Sequence, residues 1–106
     1  MSGTVHAVLA EARKDLESLY GSRLRGLYLF GSYARDEADR ESDVDLLVVL
    51  GAFDRYGEEV DRTGPLVSRL SLTHGVSIST VFLTEANWKA ADTPFLANVR
   101  EEAVPA

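Results

Sequence analysis

Two aspartates placed two residues apart are the residues of this 106-residue chain whose spacing most clearly suggests chemistry. Asp43 and Asp45 begin a predicted strand that continues through the apolar run Leu46–Leu50, so both side chains would leave one face of the strand, roughly 6 to 7 Å apart. Two carboxylates held in this way repel each other unless a cation lies between them. Mg²⁺ binds one or two carboxylates and completes its shell with water and substrate phosphates. The pair is therefore a candidate magnesium site, although an isolated pair of this kind also occurs at strand ends that simply face solvent.

A Gly-Ser step at the end of an earlier predicted strand supplies the second half of a candidate site. Gly31 would let backbone N–H groups approach a phosphate closely, and the hydroxyl of Ser32 would add a donor. Alone, such a step is typical of an ordinary turn. Together with Asp43 and Asp45 it indicates a site for a nucleoside triphosphate, at which catalysis would depend on positioning and charge neutralisation.

The apolar pattern predicts the elements that must position these residues. Helical spacing predicts two long helices, Ser2–Tyr20 and Tyr56–Leu72. Gly64-Pro65 is expected to split or kink the second helix. The residues predicted to form the inner face of this second helix are Val60, Leu66, Val67 and Leu70. Strands are predicted over Leu24–Phe30, Asp43–Leu50 and Val76–Leu83. Three shorter helices are predicted: Tyr33–Ala38, one capped by Thr84 that runs through Trp88, and Phe95–Glu102, opened by Pro94.

This order of elements predicts one α/β domain, bordering on α+β, over residues 1–106. Its sheet should be small, mixed and largely antiparallel, with about three strands flanked by helices. The connection between the first two strands, about ten residues, is too short for a parallel crossover. The two strands should therefore be antiparallel neighbours, which would bring Gly31 close to Asp43 and Asp45.

Composition narrows the function classes. The net charge is −6 at pH 7, so the cationic excess that drives binding to nucleic acid is missing, and we expect no direct nucleic-acid binding. The chain has no cysteine, which excludes disulfides and thiolate metal sites. We expect a soluble, unexported, cytoplasmic protein with no membrane association, because the sequence has neither an apolar signal segment nor a run of about 18 apolar residues.

One stretch resembles a known family. Gly31-Ser32-Tyr33-Ala34-Arg35, followed after Asp36 and five further residues by Ser42-Asp43-Val44-Asp45-Leu46, is similar to the GSxARGx5SDxDL signature of minimal nucleotidyltransferases of the DNA polymerase β-like superfamily. The later segments GVSISTVFLTEANW and PFLANVREE resemble the end of small stand-alone bacterial and archaeal members. The likeness covers roughly residues 20–103.

The resemblance implies a fold, a reaction and roles for single residues. The fold would be the nucleotidyltransferase fold, in which Gly31 and Ser32 hold the triphosphate, Asp43 and Asp45 bind the catalytic Mg²⁺ or Mn²⁺, and Arg35 supports the phosphates or their loop. The reaction would move a nucleoside monophosphate, AMP from ATP, onto a hydroxyl group. Characterised minimal members are antitoxins that adenylylate an all-helical HEPN partner, so a partner of that type is expected here, with a homo-oligomer as the alternative.

Two positions depart from the family's pattern. Asp36 stands where the signature has glycine, and it adds negative charge near the expected phosphates; aspartate nevertheless tolerates left-handed backbone geometry. Active members also carry a third carboxylate on the later strand, where this chain has only Ser77 and Ser79 as candidates facing the site. Glu85 or a group from a partner would have to take that carboxylate's place.

The sequence therefore supports two functions of different classes. The first is a magnesium-dependent nucleotidyltransferase that acts on a hydroxyl of a partner protein or a small molecule. The alternative is a catalytically degenerate module of the same fold that binds and neutralises a partner protein. The intact Gly-Ser and Asp-x-Asp elements favour the enzyme, whereas the missing third carboxylate favours the binding module.

Overall fold

A computed structural model describes residues 3–31, 33–34 and 43–106 of the chain. Its helices are α1 (Gly3–Tyr20), α2 (Tyr56–His74), α3 (Glu85–Ala90) and α4 (Pro94–Glu102), and a single 3-10 turn, Gly21–Arg23, joins α1 to the sheet. Its strands are β1 (Leu24–Phe30), β2 (Val44–Leu50), β3 (Ile78–Thr84) and β4 (Val104–Pro105).

The four strands form one mixed sheet in the order β3-β2-β1-β4. Strand β1 is antiparallel to both β2 and β4, and β2 is parallel to β3. The long helix α2 makes the crossover that a parallel pair requires. The predicted class, a small mixed and largely antiparallel sheet flanked by helices, is confirmed, and the short β4 adds a fourth strand to the three that were predicted.

Strand β2 is buried on both faces, as its continuous apolar run predicted. Val44, Leu46, Val48 and Leu50 face a core that they share with buried residues of α1 and with Leu70 of α2. Leu47 and Val49 point to the other face, where they pack with Val99 of α4 and Trp88 of α3. The sheet is therefore a middle layer, with α1 and α2 on one side and α3 and α4 on the other.

Most predicted elements occur within a few residues of their expected bounds. Thr84 caps α3, because its side chain accepts a hydrogen bond from the backbone N–H of Asn87 (3.2 Å), and Pro94 opens α4 as expected. Helix α2 runs without a break through Pro65, so the expected split is absent. Of the predicted helix Tyr33–Ala38, the structure describes only the first two residues, which form a turn, and the rest lies outside the described residues.

The predicted inner face of α2 is wrong at its first position. Val60 is 42% exposed, whereas Glu59 and Thr63 are each 2% exposed. The buried stripe of α2 is therefore rotated by about one residue at its first turns. The carboxylate of Glu59, and not the side chain of Val60, faces α1. Leu70 is buried as predicted.

The helices of the described chain are too short or too polar to cross a membrane.

Candidate functional site

The candidate site begins where β1 ends. Gly31 follows directly after β1 and has a positive φ of 75°, a conformation that glycine adopts without the steric cost borne by other residues. The antiparallel register sets Phe30 opposite Asp45, and a Cβ atom on Gly31 would lie well inside the contact distance of the Asp45 carboxylate. The structure thus brings Gly31 and Asp45 together, and glycine is needed there for its backbone angle and for the space it leaves.

Asp43 and Asp45 occupy the start of β2. Asp45 is half-buried within β2. Asp43 is exposed and lies one residue before that strand begins. Asp45 alternates with Leu47 and Val49, so its side chain lies on the sheet face that α3 and α4 cover further along the strand. The two aspartates therefore lie at the corner of the sheet where β1 ends and β2 begins, next to the turn that starts at Gly31.

Ser77 and Ser79 lie beside the aspartates, as strand alternation predicted. Ser79 on β3 pairs with Asp45, and the carbonyl of Ser77 accepts a hydrogen bond from the backbone N–H of Val44 at 2.8 Å. The strand positions beside the aspartates therefore carry hydroxyl side chains, and the third carboxylate that the resemblance implied is missing from them.

Glu85 does not take the place of that carboxylate. Because β3 is parallel to β2, Thr84 pairs with Leu50, and Glu85 follows at the far end of the sheet. Glu85 is six positions beyond Ser79 along the chain, which corresponds to about 20 Å at the rise of a strand. The expectation that Glu85 could act near Asp45 is wrong, since the parallel register carries it away from the site.

Four named residues of the signature lie outside the described residues: Ser32, Arg35, Asp36 and Ser42. Within the described part of the chain, no group of three or more His, Cys, Asp or Glu side chains is placed to hold a metal ion. Asp43 and Asp45 offer hard oxygen ligands to fewer than half of the six positions around Mg²⁺. The donor set fits a Mg²⁺ that takes its remaining ligands from water and from the phosphates of a bound nucleotide.

A second polar cluster, at the opposite end of the sheet, was missed from the sequence. The buried carboxylate of Glu59 accepts hydrogen bonds from the hydroxyl of Tyr20 (2.8 Å) and from Arg62, and Arg23 lies 3.8 Å away. Burial, followed by the hydrogen bond to Glu59, raises the pKa of Tyr20 to about 12, and the same carboxylate raises the pKa of Arg62. The helical phase shared by Glu59, Thr63 and Leu70 was the signal that could have revealed it.

This Tyr20–Glu59 cluster has the features of a structural network. It joins the end of α1 to α2, and in the described part of the chain no buried side-chain nitrogen or oxygen lacks a hydrogen-bond partner. It lies beyond the carboxyl end of β2, so it is separated from Asp45 by the length of that strand.

Comparison with known sequences agrees with the geometry. Residues 9–105 match the family model described as the nucleotidyltransferase domain. Two proteins of Methanocaldococcus jannaschii, each bearing the name "putative protein adenylyltransferase", are similar over most of their length. One is 31% identical over 97 residues, which cover 92% of this chain and 93% of that protein. The other is 38% identical over 88 residues, which cover 82% of each.

Two solved structures share the fold. A chain from a crystallised mutant of the toxin–antitoxin MntA–HpeT superposes with a TM-score of 0.65 at 18% sequence identity, and the match covers 92% of this chain and 70% of that one. A chain from a crystal structure of a toxin–antitoxin with AMP-PNP superposes with a TM-score of 0.62 at 20% identity, covering 90% and 69%. At these identities the likeness establishes the fold.

Proposed function

Because the chain belongs to the nucleotidyltransferase-domain family, we propose that it transfers a nucleoside monophosphate, AMP from ATP, to a hydroxyl group of a partner protein or a small molecule. The reaction would take place in the cytoplasm, where nucleoside triphosphates and Mg²⁺ are available. The names of the two archaeal relatives, which specify protein adenylyltransferases, support AMP as the group and a protein as the acceptor.

The observation that carries the proposal is the contact between Gly31 and Asp45. Glycine geometry at the end of β1 would expose backbone N–H groups to phosphates, and the adjacent carboxylate would hold the metal ion that neutralises them. Because Phe30 pairs with Asp45 in the antiparallel ladder, the turn that begins at Gly31 is held beside this half-buried carboxylate. Gly31 and Ser32 would bind the triphosphate, and Arg35 would support it.

Asp43 and Asp45 would act as the metal ligands and, through the metal, as the catalytic residues. The bound Mg²⁺ or Mn²⁺ would supply charge neutralisation at the phosphates. The exposed position of Asp43 and the half-buried position of Asp45 would let one ligand exchange with water while the other remains fixed. The protein would add orientation, because Asp45 is carried by a strand that is buried on both faces and Asp43 directly precedes that strand.

The acceptor is expected on a second polypeptide of the HEPN helical type. The solved structures that share the fold come from toxin–antitoxin complexes, one of them with AMP-PNP, an ATP analogue. Both observations support a nucleotide as the donor and a partner protein as the acceptor.

A second function, neutralisation of a partner by a degenerate module of this fold, is favoured by one observation. The strand position beside Asp45 carries Ser79, and Glu85 lies at the far end of the sheet. No carboxylate of the described strand β3 could therefore accept a proton from an incoming hydroxyl. In this case the chain would bind its partner without modifying it.

Thermal unfolding of the purified chain tests the nucleotide site that the proposed reaction requires, without knowledge of the acceptor. The midpoint would be measured with ATP, GTP, CTP and UTP, each with and without Mg²⁺ or Mn²⁺. A ligand present at a hundred times its Kd stabilises the folded state by about 2.7 kcal/mol, which for a domain of this size raises the midpoint by on the order of 10 °C.

Asp43→Asn and Asp45→Asn remove one ligand charge each, and Asp61→Asn, at an exposed position of α2, is the matched control. We expect a metal-dependent rise for ATP in the wild type and in Asp61→Asn that disappears in the two site variants. A wild-type protein that unfolds cooperatively and shows no rise with any nucleotide would favour the partner-binding module.

A further inference from the structure

The two aspartates of the candidate site have two serines as their neighbours on the adjoining strand. Parallel pairing sets Ser79 beside Asp45, and the hydrogen bond from Val44 to Ser77 continues the same register toward Asp43. Adjacent strands lie about 4.8 Å apart. Each carboxylate therefore has a hydroxyl side chain one strand away.

Both serines lie on the side of the sheet where Asp45 lies. Ile78, the residue between them, packs against the core under α1 and α2, so its two neighbours alternate to the opposite face. Ser77 and Ser79 are exposed, and β3 is an edge strand of the sheet. A nucleotide bound at the aspartates would thus meet exposed hydroxyl groups of the chain itself.

We propose that Ser79 is an acceptor in cis, so that the chain transfers a nucleotidyl group to its own side chain. This inference rests on the proposed function. In the step, a bond forms between Ser79 Oγ and the α-phosphorus of ATP, and the bond from that phosphorus to the oxygen bridging to the β-phosphate breaks. Pyrophosphate leaves, and the hydroxyl proton passes to water.

Proximity favours Ser79 over a hydroxyl brought by diffusion. A reacting atom held in orientation near its target gains a high effective concentration, provided that the two approach to about 3 to 3.5 Å. Ser79 pairs with Asp45 inside the strand, whereas Ser77 lies before β3 begins, so Ser79 is the better fixed of the two. The product would occupy the nucleotide site, which limits the reaction to one adduct per chain.

Intact-mass spectrometry of the purified full chain after incubation with ATP and Mg²⁺ or Mn²⁺ tests the proposal. We expect a mass increase of a single AMP group in the wild type, complete loss of that adduct in Ser79→Ala, and its retention in Ser77→Ala. Ser68→Ala, at an exposed position of α2, is the matched control and should keep the adduct. The thermal midpoint with ATP and metal is measured on the same samples as an independent readout of nucleotide binding.

The outcomes separate this proposal from the function on which it rests. A metal-dependent thermal shift without an adduct, or an adduct that persists in Ser79→Ala, overturns self-modification and leaves the nucleotide site standing. Absence of both the shift and the adduct overturns both. An adduct that disappears in Ser79→Ala while this variant still shows the thermal shift supports Ser79 as the acceptor.

Discussion

Replacing Tyr20 with phenylalanine should destabilise the fold by removing one hydroxyl from the Tyr20–Glu59 cluster. The hydroxyl donates to the carboxylate of Glu59 at 2.8 Å, and Tyr20 and Glu59 are 5% and 2% exposed. The ring would remain in the core that α1 and α2 share with the sheet, so the change isolates the hydrogen bond. Glu59 would keep Arg62 as its partner, which prevents the larger penalty of an unpaired buried charge.

Hydrogen bonds to charged groups contribute about 1.5 to 3 kcal/mol. Because the Glu59 carboxylate is buried, we expect Tyr20→Phe to lower the free energy of unfolding by roughly this amount. For a domain of about this size each kcal/mol shifts the midpoint by about 4 to 8 °C, so the midpoint should fall by on the order of 10 °C. Urea unfolding monitored by circular dichroism at neutral pH gives the free energy directly.

Tyr28→Phe is the matched control, because the Tyr28 ring stacks with Trp88 at 4.9 Å between centroids and its hydroxyl makes no hydrogen bond within the described part of the chain. We expect a change within about 0.5 kcal/mol for this control. Equal stability of Tyr20→Phe and the wild type, with an unchanged denaturant slope, would show that the buried hydrogen bond does not stabilise the fold and would refute the reasoning.

Three further predictions concern the cluster, the glycine of the site and α2. The pKa of Tyr20 is raised to about 12 in the folded chain, from 10.0 in the unfolded chain. The stability that the Tyr20 hydroxyl contributes is therefore complete below pH 10 and is lost as the pH rises through 12. Unfolding free energies measured from pH 9 to 12 should fall more steeply for the wild type than for Tyr20→Phe, and parallel curves would contradict this. Gly31→Ala should lower the free energy of unfolding by about 1 to 3 kcal/mol, because alanine is strained at positive φ, and should abolish the ATP-dependent thermal shift by displacing Asp45. Gly57→Ala, at a position where a Cβ meets open space, should have neither effect. A full thermal shift in Gly31→Ala would show that the contact of Gly31 with Asp45 is not needed. Pro65→Ala should stabilise the fold by up to about 3 kcal/mol, because proline inside a helix lacks the N–H donor and crowds the preceding turn; a lower melting midpoint would mean that the proline has a favourable role in α2.

Strong local patterns made most of the fold predictable. The run Leu46–Leu50 favoured a strand covered on both faces, and the short connection after Phe30 favoured an antiparallel neighbour. The strand β4 had no such signal, because Val104–Pro105 is two exposed residues whose pairing with β1 depends on where α4 ends. The parallel pairing of β3 was likewise not readable from its own residues.

The candidate site was predictable as a set of residues and less so as a geometry. The spacing of Asp43 and Asp45 and the preceding Gly31 pointed to one place, and the structure brings Gly31 and Asp45 together; the roles of these residues stay a prediction. That Glu85 lies far from them follows from the register of β3, a property of the packed sheet. The burial of Glu59 instead of Val60 reflects the partner hydroxyl that Tyr20 supplies from another helix, which a one-dimensional pattern does not contain.

The central claim, that the corner formed by Gly31, Asp43 and Asp45 binds a metal–nucleotide complex, is tested most directly by isothermal titration calorimetry. An ATP analogue with a methylene group between the α- and β-phosphates, which cannot transfer AMP, would be titrated into the wild type, Asp45→Asn and Asp61→Asn with Mg²⁺ or with a chelator. We predict that the analogue binds at one site per chain and only with Mg²⁺. Asp61→Asn should retain this binding, and Asp45→Asn should weaken it at least about tenfold, because losing a charge-assisted contact costs about 1.4 kcal/mol or more. Equal affinity with the chelator, or in Asp45→Asn, would contradict a metal–nucleotide site at this corner.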